Sequence, residues 1–147
     1  KYHGFYIDKR HTDMNDEEKV VYLTFDAGYE NGNIARILDV LKHNDVTGAF
    51  FILSNLVKNE PQLVKRMSDE GHLVCNHTST HPDVTRFSSL NDFKDELEAL
   101  NEDCMSMAGV NVAKYFRPPE GKFNEQTLKY TTELGYKTIL WSFAYAD

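Results

Sequence analysis

Residues 20–26, VVYLTFD, join a run of β-branched and aromatic residues to a carboxylate, Asp26, placed just past its end. A run of that length and composition predicts a buried strand. The pattern recurs along the chain: HLVCN (72–76) is followed by His77, KYF (114–116) by Arg117, and TILW (138–141) leads through SFAYA to Asp147. Strands separated by helix-length segments pair in parallel through right-handed crossovers, so the fold class is α/β, built of alternating β-α units. Polar residues that follow such strands emerge together at one end of the sheet, where these folds build their sites. Four segments distant in sequence are therefore expected to converge on one pocket.

The stretches between these runs carry helical periodicity. Ile34, Ile37, Leu38 and Leu41 predict a helix after the first strand, with Asn33 as its cap. TGAFFIL (47–53) predicts a second strand; Pro61 then opens a helix through Leu63, Val64 and Met67 that Gly71 ends. Ser89 with Asp92 resembles a capping box for the longest helix, which carries Phe93, Leu97, Leu100 and Cys104 and stops near Gly109. Asn124 caps a last helix through Leu128 and Leu134, and YKTILW (136–141) predicts a fifth strand. About five strands are fewer than the eight or so of the usual closed barrel. The expected architecture is a small open sheet or most of a barrel whose C-terminal strands are missing from this chain. Residues 1–19 read as a polar lead-in over the surface, and residues 20–147 as one domain.

A chain of 147 residues with 41% hydrophobic content can bury a core without a disulfide framework. The formal charge of -7 excludes a nucleic-acid backbone as the main partner, which would demand a basic face. Cys75 and Cys104 lack CxxC or CxxH spacing and read as unpaired buried thiols. No apolar run reaches transmembrane length and no signal peptide is visible; the chain begins at Lys1, which implies removal of an upstream segment and leaves location open.

Several side chains carry two readings. His77 and His81, four apart in NHTSTHPD, share one face if the segment makes a helical turn, and paired imidazoles with a carboxylate bind divalent metals. They are otherwise two loop histidines beside the turn-forming Pro82. Asp26 is either a turn-former or a base held at the mouth of the sheet. Glu30 is a second acid or a solvated loop residue. Arg117 precedes Pro118 and Pro119, whose stiffness suits a guanidinium that must hold a carboxylate in one orientation; the alternative is an exposed surface turn.

Taken together, TFDAGYENG, NHTSTHPD, RPPEGKF and WSFAYAD resemble the motifs of the polysaccharide deacetylase family, the NodB-homology domains of carbohydrate esterase family 4, in the family's order and spacing. TFDAGYENG and WSFAYAD look most similar to the spore-cortex muramic acid de-N-acetylases of that family. The resemblance implies a distorted (β/α) barrel that removes N-acetyl groups from an amino sugar of peptidoglycan, N-acetylmuramic acid in particular, in the cell envelope of a spore-forming bacterium. It implies Asp26 as general base, His77 and His81 as ligands of a divalent metal (zinc, with cobalt or manganese as alternatives), and Arg117 as the group orienting Asp26. The backbone N–H of Glu120, just past Pro119, would stabilise the oxyanion, and Asp147 would belong to the motif that tunes the catalytic acid. An amide resists hydrolysis, so these parts answer real needs: water must be activated, the oxyanion stabilised and the amine protonated.

Two departures from the family pattern matter. Ala27 stands where the family places a metal-binding Asp, which implies weaker metal binding. The family's last motif, a Leu-x-His near the C-terminus that supplies the catalytic acid, is absent here, which implies an incomplete domain, inactive alone, whose remainder is a second chain, disordered or never expressed. An inactive, glycan-binding member of the same fold is the alternative. A metal-dependent phosphoester hydrolase is disfavoured, because RPPEG lacks the Gly-rich backbone or clustered cations of a phosphate site.

Overall fold

The computed structural model describes residues 2–11 and 19–144. Its elements run β1 (Gly4–Phe5), β2 (Thr24–Ala27), α1 (Ile34–His43), β3 (Ala49–Ile52), α2 (Ser54–Asn59), α3 (Pro61–Asp69), β4 (Leu73–Asn76), α4 (Leu90–Asp103), β5 (Ala113–Phe116), α5 (Glu125–Glu133) and β6 (Lys137–Ile139). The strands form one six-stranded sheet in the order β1-β6-β5-β4-β3-β2, and every pairing is parallel. From β2 to β6 the strands lie side by side in chain order without a reversal, which is the winding of a barrel rather than of a doubly wound sheet.

The sheet is curled. Three strand spacings, roughly 14 Å, separate β5 from β2 in a flat sheet, beyond the reach of one arginine side chain. Yet Arg117, at the end of β5, donates to Thr24 Oγ1 and Asp26 Oδ1 of β2. Tyr22 also donates to Asp8 Oδ2 at 2.9 Å, linking the approaches to the two edge strands.

Local chemistry sets the helix ends. Asn124 and Thr127 form a complete capping box on α5, each side chain accepting from the other's backbone N–H. Ser89 Oγ accepts from the N–H groups of Asn91 and Asp92 and so caps α4, without a return bond from Asp92 among the described residues. Pro61 occupies the first turn of α3 as predicted. The cap of α1 differs from expectation: Asn33 makes no capping bond, and the Glu30 carboxylate accepts from Gly32 N (2.6 Å) and Ile34 N (2.9 Å) instead. Glu30 is thus a helix-capping carboxylate, with both oxygens engaged, rather than a second acid.

Other differences have physical causes. The first long strand spans Thr24–Ala27 rather than residues 20–25, and Val21 and Tyr22 are exposed, because β2 is an edge strand with nothing paired on its outer side. Gly4–Phe5, inside the predicted lead-in, adds a strand against β6, its register fixed by Thr138 N donating to His3 O and Leu140 N to Phe5 O. The two-turn helix α2 follows β3 at once and was hidden by the length of TGAFFIL.

Period-2 alternation divides the strand residues between two layers. Ala27, Phe50, Ile52 and Val74 pack outward with Ile34, Leu38, Leu56, Val64 and Met67 of the helices. A second cluster joins Phe116 to Phe93, Leu97, Tyr130 and Tyr136 beneath α4 and α5. Cys75 and Cys104 are free, buried thiols, each pushed up to about 12 by burial. Among the described residues no helix is long and apolar enough to cross a membrane.

Candidate functional site

Asp26, Phe51 and Cys75 stand opposite one another in register across β2, β3 and β4. They face away from the helical layer that holds their neighbours Ala27 and Ile52. Asp26 is the most open of the three, its side chain 40% exposed at the C-terminal mouth of the curled sheet.

Arg117 fills the centre of that mouth. Its side chain is only 3% exposed, yet Nη1 donates to Asp26 Oδ1 at 2.7 Å, Nη2 to Thr24 Oγ1 at 2.9 Å and Nε to the Ile139 carbonyl at 3.2 Å. The guanidinium lies over the ring of Phe51 at 4.2 Å and near that of Trp141 at 5.3 Å. A planar fork with fixed donors can meet a carboxylate, a hydroxyl and a carbonyl at once, which a lysine ammonium could not do in one geometry. The prolines that follow stiffen the segment, and Pro119 is itself buried.

The histidines arrive by a different route from the one predicted. Residues 77–83 form no helical turn; instead Thr78 and His81 adopt positive φ, 76° and 62°, and fold the loop back on itself. The two imidazoles then meet edge to face with centroids 5.1 Å apart. Strain in the left-handed region needs support, and Asn76 provides it. Fully buried, Asn76 accepts from Thr78 N at 2.8 Å and donates to Leu97 O and Asn101 Oδ1 of α4. Thr78 Oγ1 in turn accepts from His81 N. Ser79 is pinned to α2 through Ser54, by its hydroxyl and its carbonyl.

His77 is buried, and burial holds its imidazole below the ordinary histidine value, so the ring is neutral. Its Nδ1 lies 2.8 Å from the Arg117 carbonyl, which can only accept, so Nδ1 carries the proton. The lone pair is then on Nε2, 4.0 Å from Asp26 Oδ2, the carboxylate oxygen that Arg117 does not hold. A ring with its tautomer fixed from behind is the usual preparation of a metal-binding histidine. Among the described residues, however, no three His, Cys, Asp or Glu side chains are grouped to hold a metal ion. The donors fit a divalent cation only as a pair of imidazoles completed by water, with Asp26 Oδ2 nearby. Ala27, buried in the helical layer, adds nothing to them.

The structure thus brings Asp26, His77, His81 and Arg117 together. Glu120 lies in the tight turn Pro119–Gly121 at φ 54°, and its carboxylate, tied to Lys122 at 2.5 Å, is held below the usual range by that bond. Asp147 lies outside the described residues. The sequence reading missed Thr24, Trp141 and the organising role of Asn76. The signal for Asn76 was an amide closing an otherwise apolar strand, a position that burial forbids unless every polar atom is partnered.

The polysaccharide deacetylase family model matches residues 13–139. The peptidoglycan-N-acetylmuramic acid deacetylase PdaA of Bacillus subtilis is 48% identical over 147 residues, covering 100% of this chain and 53% of its own. A solved structure of B. subtilis PdaA, a family 4 carbohydrate esterase, superposes with a TM-score of 0.90 at 47% identity, covering 99% of this chain and 59% of that one. A family 4 carbohydrate esterase from Bacillus anthracis gives a TM-score of 0.86 at 41% identity, covering 99% and 67%. The chain spans about half the length of the curated relatives first matched. It belongs to the polysaccharide deacetylase family.

Proposed function

We propose that this polysaccharide deacetylase domain removes the N-acetyl group from an amino sugar of peptidoglycan, N-acetylmuramic acid being the preferred unit, and acts outside the cytoplasm. The observation that carries the reading is the Arg117–Asp26–His77 arrangement: one oxygen of Asp26 is fixed at 2.7 Å by a buried guanidinium while the other faces a neutral imidazole nitrogen. A carboxylate held by one oxygen is oriented, and its other oxygen is left to accept a proton from water. The named substrate of the relative PdaA supports the choice of sugar.

In this mechanism Asp26 is the general base. It takes a proton as the water oxygen adds to the acetamide carbonyl carbon; the C–N bond then breaks, the nitrogen takes up a proton, and acetate and a free amine leave. Arg117 orients Asp26, and the Glu120 backbone N–H stabilises the developing oxyanion. Asp147 belongs to the segment that tunes the acid. His77 and His81 would hold a divalent cation, zinc with cobalt or manganese as alternatives; metal dependence is general in the family. When bound, such an ion lowers the pKa of water and polarises the carbonyl.

Release of acetate from cell-wall glycan by the intact protein, measured with zinc, cobalt or manganese supplied, tests the proposal. Asp26→Asn should reduce the rate by about 10²–10⁴-fold, the usual contribution of a positioned base. Equal rates for the two proteins, or no acetate from either, would overturn it. A second reading, a glycan-binding domain without metal, is favoured by Ala27 and by the two-imidazole donor set. Titration with zinc separates the two: binding abolished in both His77→Ala and His81→Ala supports the enzyme, and no binding by the unmodified protein supports the binder.

A further inference from the structure

We propose that the cleft between the loop after β2 and helix α2 is a sugar subsite that receives the ring next to the one being deacetylated; this rests on the reading of the protein as a glycan deacetylase. The cleft, half open to solvent, has a volume of about 260 Å³ and is lined by Tyr29, Glu30, Asn55, Leu56, Asn59 and Glu60. It opens at the same end of the sheet as the catalytic carboxylate. Tyr29 lies three residues beyond Asp26, so at most about 10 Å of backbone separates them.

Its frame is rigid. Asn55 Nδ2 donates to the Gly28 carbonyl, tying the loop to α2, and both oxygens of Glu30 are consumed in capping α1. Gly28 packs so closely on Leu53 that an added Cβ would lie 2.5 Å from Leu53 Cδ1. Tyr29 is 73% exposed, a flat ring with no hydrogen-bond or ring partner among the described residues. The Asn59 amide nitrogen is spent on Asn55, which leaves its oxygen as an acceptor. The half-buried Glu60 carboxylate takes no hydrogen bond or ion pair from any described side chain.

The acceptors of Asn59 and Glu60 and the free Tyr29 hydroxyl, beside an open aromatic face, fit a ligand that brings several hydroxyl groups and a C–H face of its own. A pyranose ring has both. An anionic ligand would meet Glu60 and Glu30 at close range, within a chain of formal charge -7, and is excluded. The subsite therefore selects glycan length through an uncharged sugar unit.

The test uses the intact protein and compares binding of a β-1,4-linked tetrasaccharide of N-acetylated amino sugars with that of a single N-acetylhexosamine, by calorimetry, for the unmodified form, Tyr29→Ala and Glu60→Gln, alongside acetate release. The unmodified protein should prefer the tetrasaccharide. Tyr29→Ala should weaken tetrasaccharide binding about two- to tenfold, the range for loss of one aromatic contact, and leave the monosaccharide unchanged. Glu60→Gln should weaken the same ligand selectively. Absence of a length preference, or a preference that survives Tyr29→Ala, overturns the subsite. If the preference behaves as expected but no acetate is released, the subsite stands and the deacetylase reading falls. If acetate is released but the preference survives Tyr29→Ala, the deacetylase reading stands and the subsite falls.

Discussion

Replacing Arg117 by Met and Asp26 by Ala, singly and together, measures how much of the site's geometry is also the fold's. Arg117 is 3% exposed and Asp26 is 40% exposed, so their 2.7 Å contact is neither a surface pair nor a buried one. Exposed pairs couple by about 0–1 kcal/mol and breaking buried pairs costs about 3–5 kcal/mol. The intermediate burial places the coupling near 2 kcal/mol, weakened only slightly by salt because the guanidinium is inaccessible. Arg117→Met alone should cost more, about 3–4 kcal/mol, since Thr24 Oγ1 and the Ile139 carbonyl lose their donors as well. Urea unfolding followed by far-UV circular dichroism, at low and moderate salt, gives all four free energies. Single-variant losses that sum to the double within about 0.5 kcal/mol would refute the claim that Arg117 and Asp26 act as one unit.

Three further outcomes follow from other parts of the structure. Asn76→Ala removes the three hydrogen bonds of a buried amide and should cost about 2–4 kcal/mol while releasing the His81 resonances from their shifted positions; a loss below about 1 kcal/mol would show that the loop holds itself. Gly121→Ala sets a Cβ 2.9 Å from Trp141 Cη2 at φ +67°, so the emission of the sole tryptophan should shift and stability fall by about 1–2 kcal/mol; unchanged emission would count against the packing. His72 is buried, and its Nδ1 must accept from Gly48 N; burial pushes its pKa below 6.5. The unfolded chain then binds the proton first, so the stability His72 contributes is complete above pH 6.5 and is lost as pH falls below it. Urea midpoints between about pH 7.5 and 5 should fall less steeply in His72→Gln, and parallel slopes would sink the assignment.

The class of fold and the end of the sheet where chemistry gathers were legible because both rest on short-range signals: strand composition, helical spacing and one polar residue after each run. Pro61 and Gly109 marked their boundaries through φ preferences and Asn124 through a side-chain capping bond, all of which act within a few residues. What stayed hidden depends on partners distant in the chain. Whether Gly4–Phe5 forms a strand is decided by β6, more than a hundred residues later. The competition between Asn33 and Glu30 for the first turn of α1 turns on loop geometry that composition does not encode. The HxxxH spacing suggested a helical turn, but the left-handed conformations of Thr78 and His81 are stabilised by Asn76, whose own bonds run to α4. The two histidines do come together in space; the backbone that joins them is not the helical turn their spacing suggested.

The crossing of Arg117 from β5 to β2 has an evolutionary reading. A residue that braces the curled sheet and, in the proposed mechanism, aims the base would answer to two selective pressures, and relaxing one would leave the other in force. A relative that had abandoned hydrolysis would still be penalised for losing the arginine or its carboxylate, so an intact Asp–Arg pair is a poor diagnostic of a working enzyme. His81 is the better witness. Its imidazole is hydrogen-bonded to no described residue, so the fold alone does not hold that position to histidine, and only its use would keep it an imidazole.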